Sequence, residues 1–200
     1  PLWSRGLGDV YKRQFLDQLV SVNLKAPGIN NIYNSLCSAS LALKAGLELD
    51  TIREGIEEFD GISNRFKIIK LDNDNLIIND TYNANPNSML AAIEMTNKIF
   101  PGKKKIAILG DMLELGKISR DEHVKIGDAI VRNNFEELYT LGKHSGDYRK
   151  GIDKKIKCIN IRNHQGIKDY INLSSLVNTV ILVKGSRGMR MEDIFDSLDI

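Results

Sequence analysis

The chain has 200 residues, and its 28 Lys and Arg nearly balance its 26 Asp and Glu, for a formal net charge of +2. That balance argues against a dedicated nucleic-acid binder, which usually carries a basic stripe. No apolar run approaches the roughly 18 residues of a membrane helix, and the three histidines and two cysteines show no metal-binding spacing. We therefore expect a cytoplasmic protein without membrane insertion, nucleic-acid binding or a metal site of its own.

The sequence pattern changes at residues 61–64, GISN, where helical periodicity gives way to alternating strands and helices. Residues 1–14, PLWSRGLGDVYKRQ, have no clear period, so we interpret them as a foreign or disordered extension. The alternative is an ordinary N-terminal segment whose partners lie elsewhere in a longer protein. Two helices are predicted in between, one over 33–45 and one that begins at a cap, Asp50. The predicted parts of the chain are 1–14, 15–62 and 63–200.

After the boundary, short β-rich runs alternate with helical segments. The predicted strands are FKIIKL (66–71), LIIND (76–80), KIAILG (105–110), ELYTLG (137–142), IKCINI (156–161) and TVILVKG (179–185), the first two forming a hairpin. Asn85 before Pro86 predicts a helix start, Ser119 with Glu122 predicts a capping box for the next helix, and a last helix is predicted near 190–198. This alternation predicts an α/β fold, a Rossmann-like and mostly parallel sheet with helices on both faces.

Four polar or glycine-rich segments follow predicted strands: DTYNANPNS, GDMLELG, GKHS and KGSRG. Ligands of open α/β sheets bind beyond the carboxyl ends of the strands, so these segments indicate one ligand-binding edge. In the first segment, Asp80 can accept hydrogen bonds from sugar hydroxyls, while Asn83 and Asn85 suit the amide and carboxylate groups of a peptide-like ligand. The alternative is that Asn85 only caps a helix and Asn83 only forms a turn.

The last segment, KGSRG, offers Lys184, Ser186 and Arg187, which suit a carboxylate or phosphate, although a solvated turn is the alternative. Asp111 and the nearby glutamate of GDMLELG could bind Mg²⁺ or act as acid and base, but we favour a loop anchored by apolar packing. His123 is expected to be a packed or surface residue and not a catalyst. The sequence contains no GxxxxGK[ST], so no phosphate-binding P-loop is expected in this chain.

The strings DTYNANPNSMLAA, ILGDMLELG and ILVKGSRGMRME, in this order, resemble the Mur ligases. The stretch PGINNIYNSLCSASLALKAG is similar to the end of that family's central ATP-binding domain, so residues 15–62 would be a helical remnant of it and 63–200 the C-terminal domain. Within the family, the resemblance is to members that add D-alanyl-D-alanine to UDP-N-acetylmuramoyl-tripeptide in peptidoglycan synthesis. It implies an ATP-dependent amide ligase with an acyl-phosphate intermediate, monomeric when complete.

The resemblance also implies roles for individual residues. Those matched to the ATP site are Asn31, Asn34, Arg65 and Asp80, and those matched to the substrate site are Asn83, Asn85, Lys184, Ser186 and Arg187. No catalytic residue is assigned, and the main ligands of ATP and Mg²⁺ are expected upstream, so the chain alone should be inactive. Asn30 stands where the family usually has histidine. The alternatives for the function are another Mur or folylpolyglutamate-type ligase and a non-catalytic α/β ligand-binding module. The alternative for Arg65 and Asp80 is that they form a direct ion pair with each other.

Overall fold

The computed structural model describes residues 9–15, 18–25 and 28–200, and the contacts divide the chain into two units between Ile62 and Ser63. This division falls within the predicted boundary segment GISN. The first unit contains an antiparallel hairpin and two helices: β1 (Asp9–Phe15), β2 (Gln18–Leu24), α1 (Ile29–Lys44) and α2 (Leu49–Glu58). Of the predicted extension, residues 1–8 lie outside the described residues and 9–14 belong to β1. The foreign origin of residues 1–14 stays a prediction.

Helix α2 begins differently from the prediction. Its N-cap is Glu48, without a side-chain hydrogen bond, so the predicted cap at Asp50 is wrong. Asp50 lies in the first turn, where its carboxylate interacts favourably with the positive end of the helix dipole and pairs with Arg53 at 3.3 Å.

The second unit is built on a six-stranded sheet, as the alternation of strands and helices predicts. Its elements are β3 (Lys67–Lys70), β4 (Leu76–Asp80), α3 (Pro86–Ile99), β5 (Lys104–Gly110), α4 (Ser119–Arg132), β6 (Glu137–Leu141), α5 (Ser145–Ile152), β7 (Lys157–Asn160), β8 (Thr179–Lys184) and α6 (Asp193–Ser197). The strand order is β3-β4-β8-β5-β6-β7. β3 pairs antiparallel with β4 and all the other pairs are parallel, so the prediction of a mostly parallel sheet is confirmed.

Two apolar clusters cover the two faces of this sheet. α3, α4 and α5 pack on one face around buried residues such as Ile93, Ile130 and Tyr148. The chain then returns from β7 to β8 across the other face, through short 3-10 turns, and α6 completes that layer with Ile167 and Ile194 in its core. This arrangement follows from the right-handedness of crossovers, because reversing the direction of travel along the sheet changes the face that is crossed.

The starts of α3 and α4 test the two predicted caps. At α3, the Asn85 side chain accepts from the Ser88 N–H, the Ser88 side chain accepts from the Asn85 N–H, and Pro86 is the first helical residue, so that prediction is confirmed. At α4 the predicted capping box is wrong, because a 3-10 turn over 116–118 runs directly into the helix and gives Ser119 helical backbone angles. The Ser119 hydroxyl instead lies 3.0 Å from His144 Nε2.

Candidate functional site

The four polar segments predicted to share one edge of the sheet do so. They follow the carboxyl ends of β4, β5, β6 and β8, and hydrogen bonds join each of them to at least one other. We call residues 80–85, 111–115, 142–145 and 184–188 the rim. The rim is held together mainly by four buried or nearly buried polar groups, on Lys184, Ser186, Asp111 and His123.

Lys184 ends the central strand β8 with its side chain only 3% exposed. Its ammonium lies 2.7 Å from Asp80 Oδ2 and donates to the carbonyl oxygens of Asn83 at 2.8 Å and of Asp80 at 3.5 Å. The other carboxylate oxygen of Asp80 accepts from the Phe66 N–H at 3.1 Å. Burial raises the pKa of Asp80 above its ordinary value, and the attraction of Lys184 opposes that rise.

Ser186 joins three segments of the rim. Its hydroxyl donates to the Ala84 carbonyl at 3.1 Å and accepts from the Leu113 N–H at 2.8 Å, while its own N–H donates to the Asp111 carbonyl at 3.1 Å. Ser186 is 3% exposed, so these bonds are made away from bulk water. Its polar groups are therefore committed to the fold of the rim.

Asp111 joins the β5 and β6 ends of the rim. Its carboxylate accepts from the N–H groups of Lys143 at 2.9 Å and His144 at 3.2 Å. Gly142 leaves the space for this carboxylate, because a Cβ there would lie 2.4 Å from the carboxyl carbon of Asp111, and its φ of +129° disfavours any side chain. Sequence reasoning attributed this loop to apolar packing alone. Met112 is indeed buried, but the buried Asp111 carboxylate also anchors the loop.

His123 is fully buried beneath the rim, so of the two predicted alternatives, a packed or a surface histidine, the structure shows the packed one. Its Nδ1 lies 2.6 Å from the Ser119 carbonyl and its Nε2 accepts from the Met112 N–H at 3.0 Å, so the ring is neutral with its proton on Nδ1. Burial lowers the pKa of His123 below its ordinary value of 6.5. His144 stacks on the ring at 4.3 Å, and Tyr148 meets it edge-on at 4.9 Å.

Asn83, Asn85 and Arg187 are the predicted site residues that the rim exposes to solvent. The side-chain oxygen of Asn83 accepts from the backbone N–H groups of Ala84 at 2.9 Å and Arg187 at 3.3 Å, which leaves its amide N–H₂ as the group that can meet a ligand. The oxygen of Asn85 is engaged in the cap of α3. The Arg187 guanidinium pairs with Glu192 at 2.9 Å and is 61% exposed.

Arg65 lies beside the rim, just after the boundary between the units. Its guanidinium carbon is 4.3 Å from the centre of the Tyr82 ring, and both side chains are exposed. Since Asp80 pairs with Lys184, and no ion pair joins it to Arg65 in the described part of the chain, the alternative of a direct Arg65–Asp80 pair is wrong.

Asn31 and Asn34 belong to α1 in the first unit, where Asn31 is half-buried and Asn34 exposed. The structure thus groups seven of the nine predicted site residues in the second unit. Beside the rim, a groove of about 450 Å³ opens between the β6 and β7 ends and the turn after β8, with Arg162, His164 and Met189 among its lining residues.

Over residues 9–15, 18–25 and 28–200, no three or more His, Cys, Asp or Glu side chains converge into a group that could hold a metal ion. None of the helices described is both long enough and apolar enough to cross a membrane.

Comparison with known proteins identifies the family of the chain. Residues 64–187 match the family model described as Mur ligase, glutamate ligase domain. The UDP-N-acetylmuramoyl-tripeptide–D-alanyl-D-alanine ligase of Buchnera aphidicola subsp. Baizongia pistaciae is 33% identical, over 90% of this chain and 38% of the relative. The enzyme of the same name from Escherichia coli K12 is 32% identical, over 90% of this chain and 39% of the relative. The chain therefore spans less than half the length of these relatives.

Solved structures agree with the fold. MurF from Acinetobacter baumannii superposes with a TM-score of 0.84 at 24% identity, covering 96% of this chain and 42% of that protein. MurF ligase from Thermotoga maritima, solved in complex with ADP, gives 0.79 at 24% identity and covers 98% of this chain and 44% of that one. Since the family model matches well over half of the residues, the chain belongs to the Mur ligase family.

Proposed function

We propose that this chain is the C-terminal part of an ATP-dependent ligase that joins D-alanyl-D-alanine to UDP-N-acetylmuramoyl-tripeptide, a cytoplasmic step of peptidoglycan synthesis. The observation that carries the proposal is the 30 to 33% identity of the chain to relatives of that name, over 86 to 90% of its length. The activity would belong to the whole protein, because the chain spans 38 to 39% of those relatives.

The rim supplies groups suited to the dipeptide. The free amide N–H₂ of Asn83 and the guanidinium of Arg187 are donors, and the Arg187 N–H bond to Asn83 Oδ1 holds their two segments together. A carboxylate is the ligand group that such a pair of donors favours, and D-alanyl-D-alanine ends in one. Lys184 and Ser186, matched to the same motif, would contribute by shaping this surface, since both are buried and engaged within the rim.

Arg65, whose exposed guanidinium can reach a ribose or phosphate, would meet the nucleotide. For Asn31 and Asn34, in the first unit, a role toward ATP rests on the family resemblance alone. Asp80 fits this role less directly, because both of its carboxylate oxygens already have partners within the second unit. The described residues offer no cluster that fits Mg²⁺, and the sequence has no P-loop, so the metal and the triphosphate would depend on other parts of the protein.

The chemistry explains why ATP is needed. A carboxylate is a poor electrophile, and its phosphorylation to an acyl phosphate supplies a leaving group. The amine of the dipeptide then attacks the activated carbonyl carbon, and the amide forms as phosphate departs. Water would hydrolyse the acyl phosphate, so the two substrates must meet where water is excluded.

The test uses the full-length gene product that contains these 200 residues. Phosphate release should require ATP, the UDP-linked tripeptide and D-alanyl-D-alanine together, and mass spectrometry should show the pentapeptide product. The 200-residue chain alone should release none. Addition of a single amino acid to a UDP-linked dipeptide, or of glutamate to a folate, would assign the protein to a different ligase of the superfamily. Absence of all three reactions would refute the proposal.

Replacing Arg65 with alanine in the full-length ligase tests its nucleotide role. The apparent KM for ATP should rise, and turnover should fall at least about tenfold, which is about 1.4 kcal/mol of lost transition-state stabilisation. The melting temperature should barely change, since the side chain is exposed. Unaltered ATP kinetics would remove Arg65 from the nucleotide site.

A further inference from the structure

We infer that Lys184 is a positioning residue: from a buried site it holds the linker at 64–66 and the loop at 80–84 in one arrangement, and so sets where Asn83 meets substrate. The inference rests on the proposed function for its kinetic part only. Its structural part concerns the chain as it stands.

Lys184 has no donor left for a ligand. Its three ammonium protons face three oxygen atoms, on the Asp80 carboxylate, the Asp80 backbone and the Asn83 backbone. With 3% of the side chain exposed, a substrate would have to displace one of these partners to reach it. Lys184 therefore acts on the loop, whose path from Asp80 to Asn83 is fixed at both ends by the same ammonium group.

Asp80 extends this hold to the linker. Its second oxygen accepts from the Phe66 N–H, and Phe66 has a φ of +47°, a left-handed conformation that bulky residues rarely adopt. Asn64, with φ of +64°, is held from the same strand end: its carbonyl accepts from the Tyr82 N–H at 2.9 Å and its side chain from Asn79 at 3.0 Å. Such backbone persists only where surrounding contacts impose it.

The linker lies at the start of the second unit, one residue after the division between Ile62 and Ser63. A buried ion pair is weak evidence of stability, because desolvating two charges offsets much of their attraction. The Lys184–Asp80 pair instead connects the linker at 64–66 to the loop at 80–84 and so gives both segments a single geometry. These segments carry Arg65 and Asn83, the groups proposed to meet nucleotide and dipeptide, which a ligase with two substrates must align.

Hydrogen exchange on the 200-residue chain tests the structural part, with Lys184→Met compared with Lys104→Met. The control breaks an ion pair of similar length in the same sheet, Lys104 to Glu137 at 2.6 Å, at the amino end of β5 and β6, opposite the rim. The Lys104 side chain is 35% exposed, and Glu137 keeps Lys157 as a second partner. In Lys184→Met, amides in 64–66 and 80–84 should exchange at least about tenfold faster while the amides of β5 and β6 keep their rates. In Lys104→Met the two segments should keep wild-type rates. Unchanged exchange in both segments would overturn the inference.

Lys184→Gln, which keeps donors but loses charge and length, covers the case in which the first variant is poorly folded. Faster exchange confined to the two segments supports the inference. Loss of protection across the whole sheet in both variants would overturn it, because Lys184 would then be a general stabiliser.

The kinetic part uses the full-length ligase. Lys184→Met should lower kcat/KM for D-alanyl-D-alanine at least tenfold and, because the linker carries Arg65, should also raise the KM for ATP, whereas Lys104→Met should leave both close to wild type. Equal losses in both variants, in proportion to lost folded protein, would overturn this part. A wild-type protein without ligase activity would refute the proposed function and leave the exchange result to stand by itself.

Discussion

Ser186→Ala should destabilise the second unit substantially, although it removes only one atom. The Ser186 hydroxyl serves the Leu113 N–H and the Ala84 carbonyl, and the alanine variant leaves both without a partner at a site that is 3% exposed in the wild type. Each of the two buried polar groups left unsatisfied costs about 1–3 kcal/mol, so we expect a total loss of about 2–6 kcal/mol. With a urea m-value of about 2 kcal/mol/M, the unfolding midpoint should fall by about 1–3 M.

Urea unfolding followed by far-UV circular dichroism measures this loss. Ser175→Ala is the matched control, because the Ser175 hydroxyl makes a 2.8 Å bond to the Asn172 carbonyl at an exposed position. That variant should lose no more than about 0.5 kcal/mol. If the two variants have the same midpoint, the Ser186 bonds do not hold the rim together, and the reasoning from buried polar groups is refuted for this site.

Three further predictions concern packing and pH. Gly142→Ala should lower the free energy of unfolding by at least about 2 kcal/mol, because the new Cβ clashes with the Asp111 carboxylate and φ at this position is positive. Gly146→Ala, whose Cβ would meet nothing within 4 Å, should be neutral or stabilising. Equal melting temperatures of the two variants would contradict this. Burial alone would raise the pKa of Glu137, but hydrogen bonds from two lysines and a tyrosine lower it to about 2, so its contribution to stability is present above about pH 4.5 and is lost as the pH falls towards 2. In Glu137→Gln the urea unfolding midpoint should depend less on pH over that range. A pH dependence equal to that of the wild type would refute the lowered pKa of Glu137. Because the pKa of His123 is lowered in the folded state, the unfolded chain binds this proton first as the pH falls, and the free energy of unfolding should decrease below about pH 6.5. His123→Asn should remove this decrease between pH 7.5 and 5.5. The same pH dependence in that variant would contradict the neutral, buried ring.

Features set by neighbouring residues were predictable from the sequence. The start of α3 follows from Asn85 and Pro86, and the central strands β5 and β8 follow from short apolar runs bounded by polar segments. The ordering of rim segments along one edge follows from the rule that parallel strands present their carboxyl ends together.

Features set by residues distant in the sequence were not predictable from it. The Lys184–Asp80 pair joins residues 104 positions apart, and nothing in the local pattern of either segment indicates it. Ser119 shows the same limit: its sequence context is that of a helix cap, yet a preceding 3-10 turn and the neighbouring His144 decide where its hydroxyl goes. The buried carboxylate of Asp111 had one local signal: an acidic residue directly follows the apolar run at 106–110. A charge remains buried there only if polar groups such as backbone N–H satisfy it.

The position of β8 has a consequence for how the domain is made. Among the strands of the second unit it is synthesised last, yet it lies between β4 and β5 and is the only strand that joins them. Until Thr179–Lys184 leaves the ribosome, β4 and β5 each lack the partner that fills the edge between them, and nothing joins β3–β4 to β5–β6–β7 in the sheet. Open edges of this kind template pairing with other chains. Translation that stalls or terminates shortly before residue 179 should therefore yield an aggregation-prone product and not a slightly shortened domain.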